Sequence, residues 1–494
     1  MGATMTNHEQ ANESAPHDSR PGHASRPRHG SELAIGDDDG SSSRSSSALT
    51  RRAVVSAVTT GPVVLTPIPT GTLATDDRPS GTGTTITADS CAESDVRDAI
   101  ERAGDGDTVE LPPGQCEWTT SVTIPDDKRI TLAGSGSDST EIIGEGELAI
   151  FMGLSGSRIT GLGLERAGVQ VDGDGWRIDH CRMRSNGVQV RGSREDAHPR
   201  GVVDNCVFHN ARVVVLGWAG LEAHGLWAQP LGLGTDRAVY VEDCEFTHTE
   251  HGNAMDANYG GSYVFRHNTL TDTYVEAHSL QGTHRATRKF EIYGNRFEQV
   301  DRSMWSPFFL RGGTGVVYDN VVNGTWSSPR VTVDNVRSFS DRGDGGRCDG
   351  TSDWDGNEDE TGYPCRDQIG RSTDHWRWTD DDPYPPQEHE PLHVWDNVHE
   401  SGEVTVNVHN CPDGDGSCLH IQADRDYVGG TAHPDYEPYT YPHPIRNGAD
   451  GTADGFGPFG GVTDVGRTGV AVVLGVLVSS ILVLARRWNR ENPD

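Results

Sequence analysis

Ile178-Asp-His-Cys181, Val203-Asp-Asn-Cys206, Val241-Glu-Asp-Cys244, Phe265-Arg-His-Asn268, Ile292-Tyr-Gly-Asn295, Val317-Tyr-Asp-Asn320 and Val394-Trp-Asp-Asn397 are one phrase written seven times. Each starts apolar and ends in Cys or Asn. Most carry another apolar residue two places on: Met183, Phe208, Phe246, Leu270, Phe297 and Val322. From Cys181 to Asn320 the closing positions are 25, 38, 24, 27 and 25 residues apart. A near-constant period of this size marks stacked units, each unable to bury its apolar face alone. The units are short, rich in Val, Ile and Gly, and lack helical periodicity, so they read as coils of a parallel β-solenoid. Stacking brings the closing residues into register, where Asn side chains can hydrogen-bond up the stack. A β-sandwich would pair its strands by hairpins every 8–12 residues, and no such doublets occur.

Outward from the repeat, Val96-Arg-Asp-Ala-Ile-Glu-Arg-Ala103 places apolar residues on one face of a short helix, suited to cover the open end of a solenoid. Coils are expected from about Ser121 to Asn335. A long Asp-, Gly-, Trp- and Pro-rich loop spans 338–390, strands return at 392–397 and 403–409, and a Tyr/Pro tail ends at Pro444. The β-helix domain is therefore assigned to 75–447. Residues 1–49 lack an apolar pattern and read as disordered. Segment 50–74 has the outline of a twin-arginine signal: Arg51-Arg52, a weak apolar run and small residues. Residues 448–466 form a flexible linker, 467–485 a transmembrane helix and 486–494 a cytoplasmic tail. The uncharged run Thr468–Ala485 is 18 residues long and is followed by Arg486-Arg487, enough to span with the C-terminus inside and the solenoid outside.

The chain has 494 residues and a net charge of −33, and Lys128 and Lys289 are its only lysines. An acidic, lysine-poor surface resembles that of proteins from extreme halophiles, and it makes nucleic acid a poor partner. Of nine cysteines, Cys181, Cys206 and Cys244 occupy the repeated position as small buried side chains. Cys91 with Cys116, Cys348 with Cys365, and Cys411 with Cys418 are expected as disulfides of an exported protein. Asn323-Gly-Thr325 is a glycosylation acceptor pattern, with Asn323 as the acceptor.

The opening Val96–Gly114 segment, the Cys/Asn coils and the tail resemble the right-handed parallel β-helix proteins related to pectate lyases. Asp256–Asn268, Tyr363–Arg371 and Tyr439–Pro444 resemble a poorly characterised, haloarchaeal-type branch of that superfamily. The resemblance covers about residues 85–445. It implies a right-handed β-helix and a polysaccharide or cell-surface glycan as partner. The superfamily holds lyases, hydrolases, esterases and silent members. The pattern of several Asp around one Arg found in its calcium-dependent lyases has no residue-by-residue match here.

The richest polar stretch, Tyr274–Lys289, holds Glu276, His278, His284, Arg285, Arg288 and Lys289. Counting back from the closing Asn places Asp256, Asn258, His284 and Arg285 on one face. Abstracting the proton beside a uronate carboxylate needs a base and a cation on that carboxylate. His278 or His284 can supply the base, Arg285, Arg288 or Lys289 the cation, and Asp256 with Glu276 can offer oxygens to Ca²⁺. A hydrolase would use paired carboxylates, Glu276 with Asp301. Trp354, Trp376, Trp378, Tyr384 and Trp395 can stack on sugars or form a small core of their own. Two functions stand side by side: a surface-anchored polysaccharide lyase, and a non-catalytic glycan-binding or envelope protein.

Overall fold

The computed structural model describes residues 83–447, apart from short internal stretches at 154–155, 193–197, 219–222, 281–283, 302–303, 339–346, 352–354, 356–363, 376–384 and 412–415. The signal, linker and transmembrane expectations lie outside the described residues, as do Trp354, Trp376, Trp378 and Tyr384. No described helix is long and apolar enough to cross a membrane.

The seven phrases are neighbouring strand ends of one parallel sheet. Ile178, Val203, Val241, Phe265, Ile292, Val317 and Val394 pair in direct register, each with the next. This first sheet joins twelve strands of the described residues, from Thr85–Thr87 to Tyr427–Gly429. A second parallel sheet carries the residues two places past each phrase, pairing Met183, Phe208, Phe246, Leu270, Phe297 and Val322 in turn. A third stacks Val188–Arg191, Val213–Leu216, Asn253–Asn258, Tyr274–Ala277, Phe308–Leu310, Val331–Val333 and Val406–Val408. Each coil therefore crosses three sheets before the next begins, which is a β-helix.

Alternation decides what each strand buries. In the first sheet the seven phrase-opening residues are all buried. In the second, Phe208 stacks on Phe246 at 4.5 Å. In the third, Val215, Ala257, Ala277, Leu310 and Val333 point inward and are fully buried. Burial of a Val, Leu or Phe side chain contributes about 1.5–3 kcal/mol, and one continuous core collects these from every coil.

The turn between the first two sheets explains the rest of the phrase. Its third residue is left-handed in every copy: His180, Asn205, Asp243, His267, Gly294, Asp319 and Asp396 have φ between 51° and 67°. Asn, Asp, His and Gly tolerate that conformation best. The closing residue then turns inward. Asn268 N donates to Asn295 Oδ1 at 2.9 Å, Asn295 Nδ2 to Asn320 Oδ1 at 2.9 Å, and Asn320 Nδ2 to Asn397 Oδ1 at 2.8 Å. Each Nδ2 also reaches a carbonyl of the preceding coil, as Asn320 does to Ile292 O at 3.0 Å. Cys181, Cys206 and Cys244 fill the same column as buried free thiols. The expected asparagine ladder is present.

The three expected disulfides are also present, with Cα separations of 5.8, 6.0 and 5.3 Å. The expected helix forms at Glu93–Arg102 and buries Val96, Ala99 and Ile100. Lys128 Nζ ends it by bonding Ile100 O at 2.6 Å and Ala103 O at 2.7 Å. Within the long loop the described residues include an unexpected antiparallel pair, Arg371–Asp374 with Gln387–His389. Asn323 is half-buried at the end of Val321–Asn323.

Replacing Asn320 with Ala takes the acceptor from the Asn295 N–H and from one of the two N–H bonds of its amide, and the side-chain donor from the Ile292 carbonyl, in a buried turn. Each orphaned group costs roughly 1–3 kcal/mol, so Asn320→Ala is expected to lower the thermal unfolding midpoint markedly. An equal change at Asn323 should leave the midpoint within a degree or two. Circular dichroism melts of the two variants compare them directly.

Candidate functional site

The outer face of the third sheet gathers the unusual side chains. Strand Asn253–Asn258 turns Asp256 and Asn258 outward, and Tyr274–Ala277 turns out Glu276, with His278 following. Phe308–Leu310 turns out Phe309, the direct neighbour of Glu276, with Arg311 next along the chain. Backbone bonds continue the ladder past the strand ends: His278 N to Ala257 O at 3.1 Å and Arg311 N to Ala277 O at 2.9 Å. Side chains of adjacent coils thus meet at about 4.8 Å spacing.

His278 Nδ1 lies 3.0 Å from both carboxylate oxygens of Asp256. Asp256 is steadied by the Ala257 N–H, which donates to Oδ1 at 2.8 Å. Glu276 accepts from Arg311 Nη2 and, at 2.6 Å, from Asn253 Nδ2. The two carboxylates and the imidazole form one cluster, their nearest ligand atoms all within 4.8 Å. His278 is the open member, its side chain 27% exposed against 9%, 8% and 10% for Asp256, Glu276 and Arg311. Among the described residues Arg311 Nε is buried and has no hydrogen-bond partner. Tyr274 lies near enough to feel the charges of Glu276, Arg311 and Asp256. Burial first, then Glu276, holds its hydroxyl above the ordinary tyrosine range.

The sequence-derived face is partly reassembled. Arg285 falls beside Asn258 as counted: Tyr259 N donates to Arg285 O at 3.0 Å. Asp256, however, meets His278 instead of the residues before Arg285. The coil is left after His278 and rejoined near Arg285, with Thr287 N bonded to His278 O at 3.0 Å and His278 N to Thr287 Oγ1 at 2.8 Å. His284 stands half-buried against the Tyr259 ring at 4.6 Å.

Three expected cations are structural. Arg285 is fully buried and binds Asp367 through Nε and Nη2 at 2.7 Å each. It also reaches Asp374 at 3.0 and 3.2 Å and lies 4.6 Å over Trp227. Burial alone would lower its pKa, but Asp367 and Asp374 overcompensate and hold it above its ordinary value. His224, 3.3 Å from Arg285 Nη1, is pushed down to about 3 by burial and by that charge, so its neutral Nδ1 accepts. Arg288 is fully buried on Gln229 O and Thr373 Oγ1, and burial lowers it to about 10. Lys289 is buried on Gly232 O at 2.6 Å and Glu291 at 3.3 Å. These side chains weld the segments around Trp227 and Asp367 to the coil and present no charge to a substrate. Gly312 makes the weld tight: a Cβ there would come within 2.8 Å of the carbonyls of Asp367 and His278. Asp301 is exposed near the Asp272 turn, where its N–H bonds Asp272, and does not pair with Glu276.

The donor set does not suit Ca²⁺, which takes six to eight oxygens. Asp256 and Glu276 are near neighbours, but Arg311, Asn253 and His278 already occupy them with positive or N–H groups. Arg311, Tyr274, Asn253 and Phe309 were missed by sequence reading. The signal was there in alternation: Phe308-Phe-Leu-Arg311 repeats the in-out pattern of Val275-Glu-Ala-His278 one coil later.

No family model matches the chain, and no curated protein matches it. Among solved structures it is similar to an alginate lyase from Paenibacillus sp. str. FPU-7, at 12% identity over 66% of this chain and 99% of that one, with a TM-score of 0.40. It is also similar to the catalytic domain of a GH87 α-1,3-glucanase in complex with nigerose, at 9% identity over 71% of this chain and 68% of that one, with a TM-score of 0.27.

Breaking the buried Arg285 cluster and opening the polar site should be separable. Arg285→Ala strands two buried carboxylates, and such a break costs on the order of 3–5 kcal/mol; the midpoint should fall steeply. His278→Ala removes a partly exposed ring and should cost about 1 kcal/mol or less. Equal losses in urea titrations of the two variants would contradict this division of roles.

Proposed function

We propose that the chain is an exported, C-terminally anchored right-handed β-helix protein that cleaves acidic polysaccharide by β-elimination on the outer face of its third sheet. The carrying observation is the convergence, on adjacent coils, of an Asp-oriented histidine and an arginine fixed in place by Glu276. With Nδ1–H donated to Asp256, Nε2 of His278 holds the lone pair of a general base. It takes the proton from the sugar carbon beside the uronate carboxylate. Arg311 neutralises that carboxylate as charge builds on it, the role first expected of Arg285 or of a metal. The glycosidic C–O bond breaks, a C=C bond forms in the ring, and the departing oxygen takes a proton from solvent. No water enters the products.

Hydrolysis is the weaker reading. Asp256 and Glu276 are close enough to flank a glycosidic bond. Both are paired with basic side chains, and neither sits in the apolar pocket that makes a carboxyl a proton donor. Export is supported by the three disulfides, which fit an oxidising compartment. Anchoring rests on the uncharged run Thr468–Ala485 and its flanking arginines. The lysine-poor acidic surface supports a high-salt setting.

The test incubates the full chain in high salt with alginate, polygalacturonate and other acidic polysaccharides, following reducing ends and ultraviolet absorbance of the unsaturated product. Both should rise, with or without chelator. His278→Ala should lower the rate by 10²–10⁴, the usual weight of a general base, while Arg311→Lys should raise KM. Reducing ends without absorbance would establish hydrolysis. Neither signal from folded protein would leave a glycan-binding surface.

A further inference from the structure

Beside the polar cluster stands an aromatic that the elimination chemistry does not use. Trp305 is 36% exposed, just ahead of strand Phe308–Leu310. Its ring meets Phe309 edge-on at 5.1 Å and His409 at 4.4 Å. Phe309 in turn lies beneath the Arg311 guanidinium, 4.9 Å from ring centre to carbon. The run from Glu276 through Arg311, Phe309 and Trp305 to His409 is therefore unbroken. It crosses the strands Tyr274–Ala277, Phe308–Leu310 and Val331–Val333 to the end of Val406–Val408. Three strand spacings amount to roughly 14 Å.

We propose that Trp305, braced by Phe309 and His409, is a stacking subsite for a pyranose ring of the same polysaccharide, bound beyond the ring held at His278 and Arg311. This deepens the reading of that face as a glycan site and rests on it. An indole fixed on two sides by other rings exposes a rigid apolar surface, and the C–H face of a sugar covers such a surface while its hydroxyls remain wet. A protein partner is the poorer occupant. Of the other large apolar residues exposed among those described, Val207 and Val398 stand on second-sheet strands and Tyr441 in the C-terminal strap, leaving only Val300 in the same coil as Trp305, so Trp305 is not part of an extended apolar patch. The face from Glu276 to His409, against which Trp305 packs, is three strand spacings wide and exceeds one sugar. The substrate is then an oligomer or polymer, and affinity should depend on chain length.

The test measures binding apart from cleavage, by calorimetry on the full chain carrying His278→Ala, with di-, tetra- and hexauronides from alginate and polygalacturonate, and with a cello-hexaose control. Adding Trp305→Ala should weaken hexamer binding about tenfold or more and leave dimer binding within twofold. Trp305→Phe should restore most of the loss, and Tyr441→Ala, on the first sheet's side, should change nothing. Circular dichroism confirms that each variant is folded. Equal hexamer affinity with and without Trp305 overturns the subsite, as does equal weakening for dimer and hexamer, or no binding of any oligosaccharide. Length-dependent binding through Trp305 in a protein that never yields the unsaturated product keeps the subsite and overturns the elimination reading alone.

Discussion

One backbone constraint governs the rest of the molecule: each coil must place a left-handed residue immediately before the side chain that closes its phrase. That residue bends the chain from the first sheet into the second, and it costs least when it is Gly, Asn, Asp or His. The bend aims the next side chain into the stack. There an Asn accepts N–H groups of the coil before it and donates to a carbonyl of that same coil. A slip by one residue would break every such bond and turn the apolar columns out to solvent. Turn and ladder thus fix the register of all three sheets, and the outer-face side chains inherit that register. Asp256, Glu276 and Arg311 meet because the coils beneath them cannot slide.

Where the coil is interrupted, a different interaction restores order. The chain leaves the solenoid after His278 and again in the long acidic loop, and both excursions return to the same buried ions. Arg285 binds Asp367 and Asp374 together, and Arg366 also reaches Asp374 at 3.5 Å. Burying such charges gains little net stability over a well-packed apolar alternative. It does specify one arrangement, since every misplacement strands a charge. The Cys348–Cys365 disulfide and the Gly312–Gly313 pair serve the same end, the latter letting Asp367 O accept from Gly313 N at 2.9 Å. The C-terminal strap repeats the device on the first sheet, where fully buried Arg266 bonds Glu242 and the carbonyls of Tyr439 and Thr440.

The solenoid was legible because its determinants are local and repeated. The phrase-opening residues, the Asn column, the helix at Val96–Ala103 and the three cysteine pairs follow from pattern alone. The site was legible only in its residue types. Counting from the closing Asn found the alignment of Arg285 with Asn258, but it assumed that every coil has the same length. The excursion after His278 removes Arg285, Arg288 and Lys289 from the outer face and brings His278 to Asp256 instead. Arg311 escaped notice because its significance is a relation to Glu276 one coil back, which no local window contains. Burial was the other blind spot: a run of Arg, Arg and Lys reads as an open basic patch, yet these side chains are 0% exposed.

The net charge of −33 bears on how such a protein could hold an anionic polymer. In dilute buffer, a surface this acidic would repel a polyuronate over tens of ångströms. At 1 M salt the screening length is about 3 Å, so the distant carboxylates fall silent and only groups in contact with the chain count. On the third sheet's outer face those groups are a guanidinium held by Glu276, a histidine oriented by one carboxylate, and an exposed indole. Their attraction is short-ranged and survives screening best, because it is made of hydrogen bonds and apolar contact. High salt therefore separates what the whole surface does for solubility from what one face can do for binding. On that face the pairing with Glu276 fixes the Arg311 guanidinium in position, so what the face offers in high salt is set by geometry and contact.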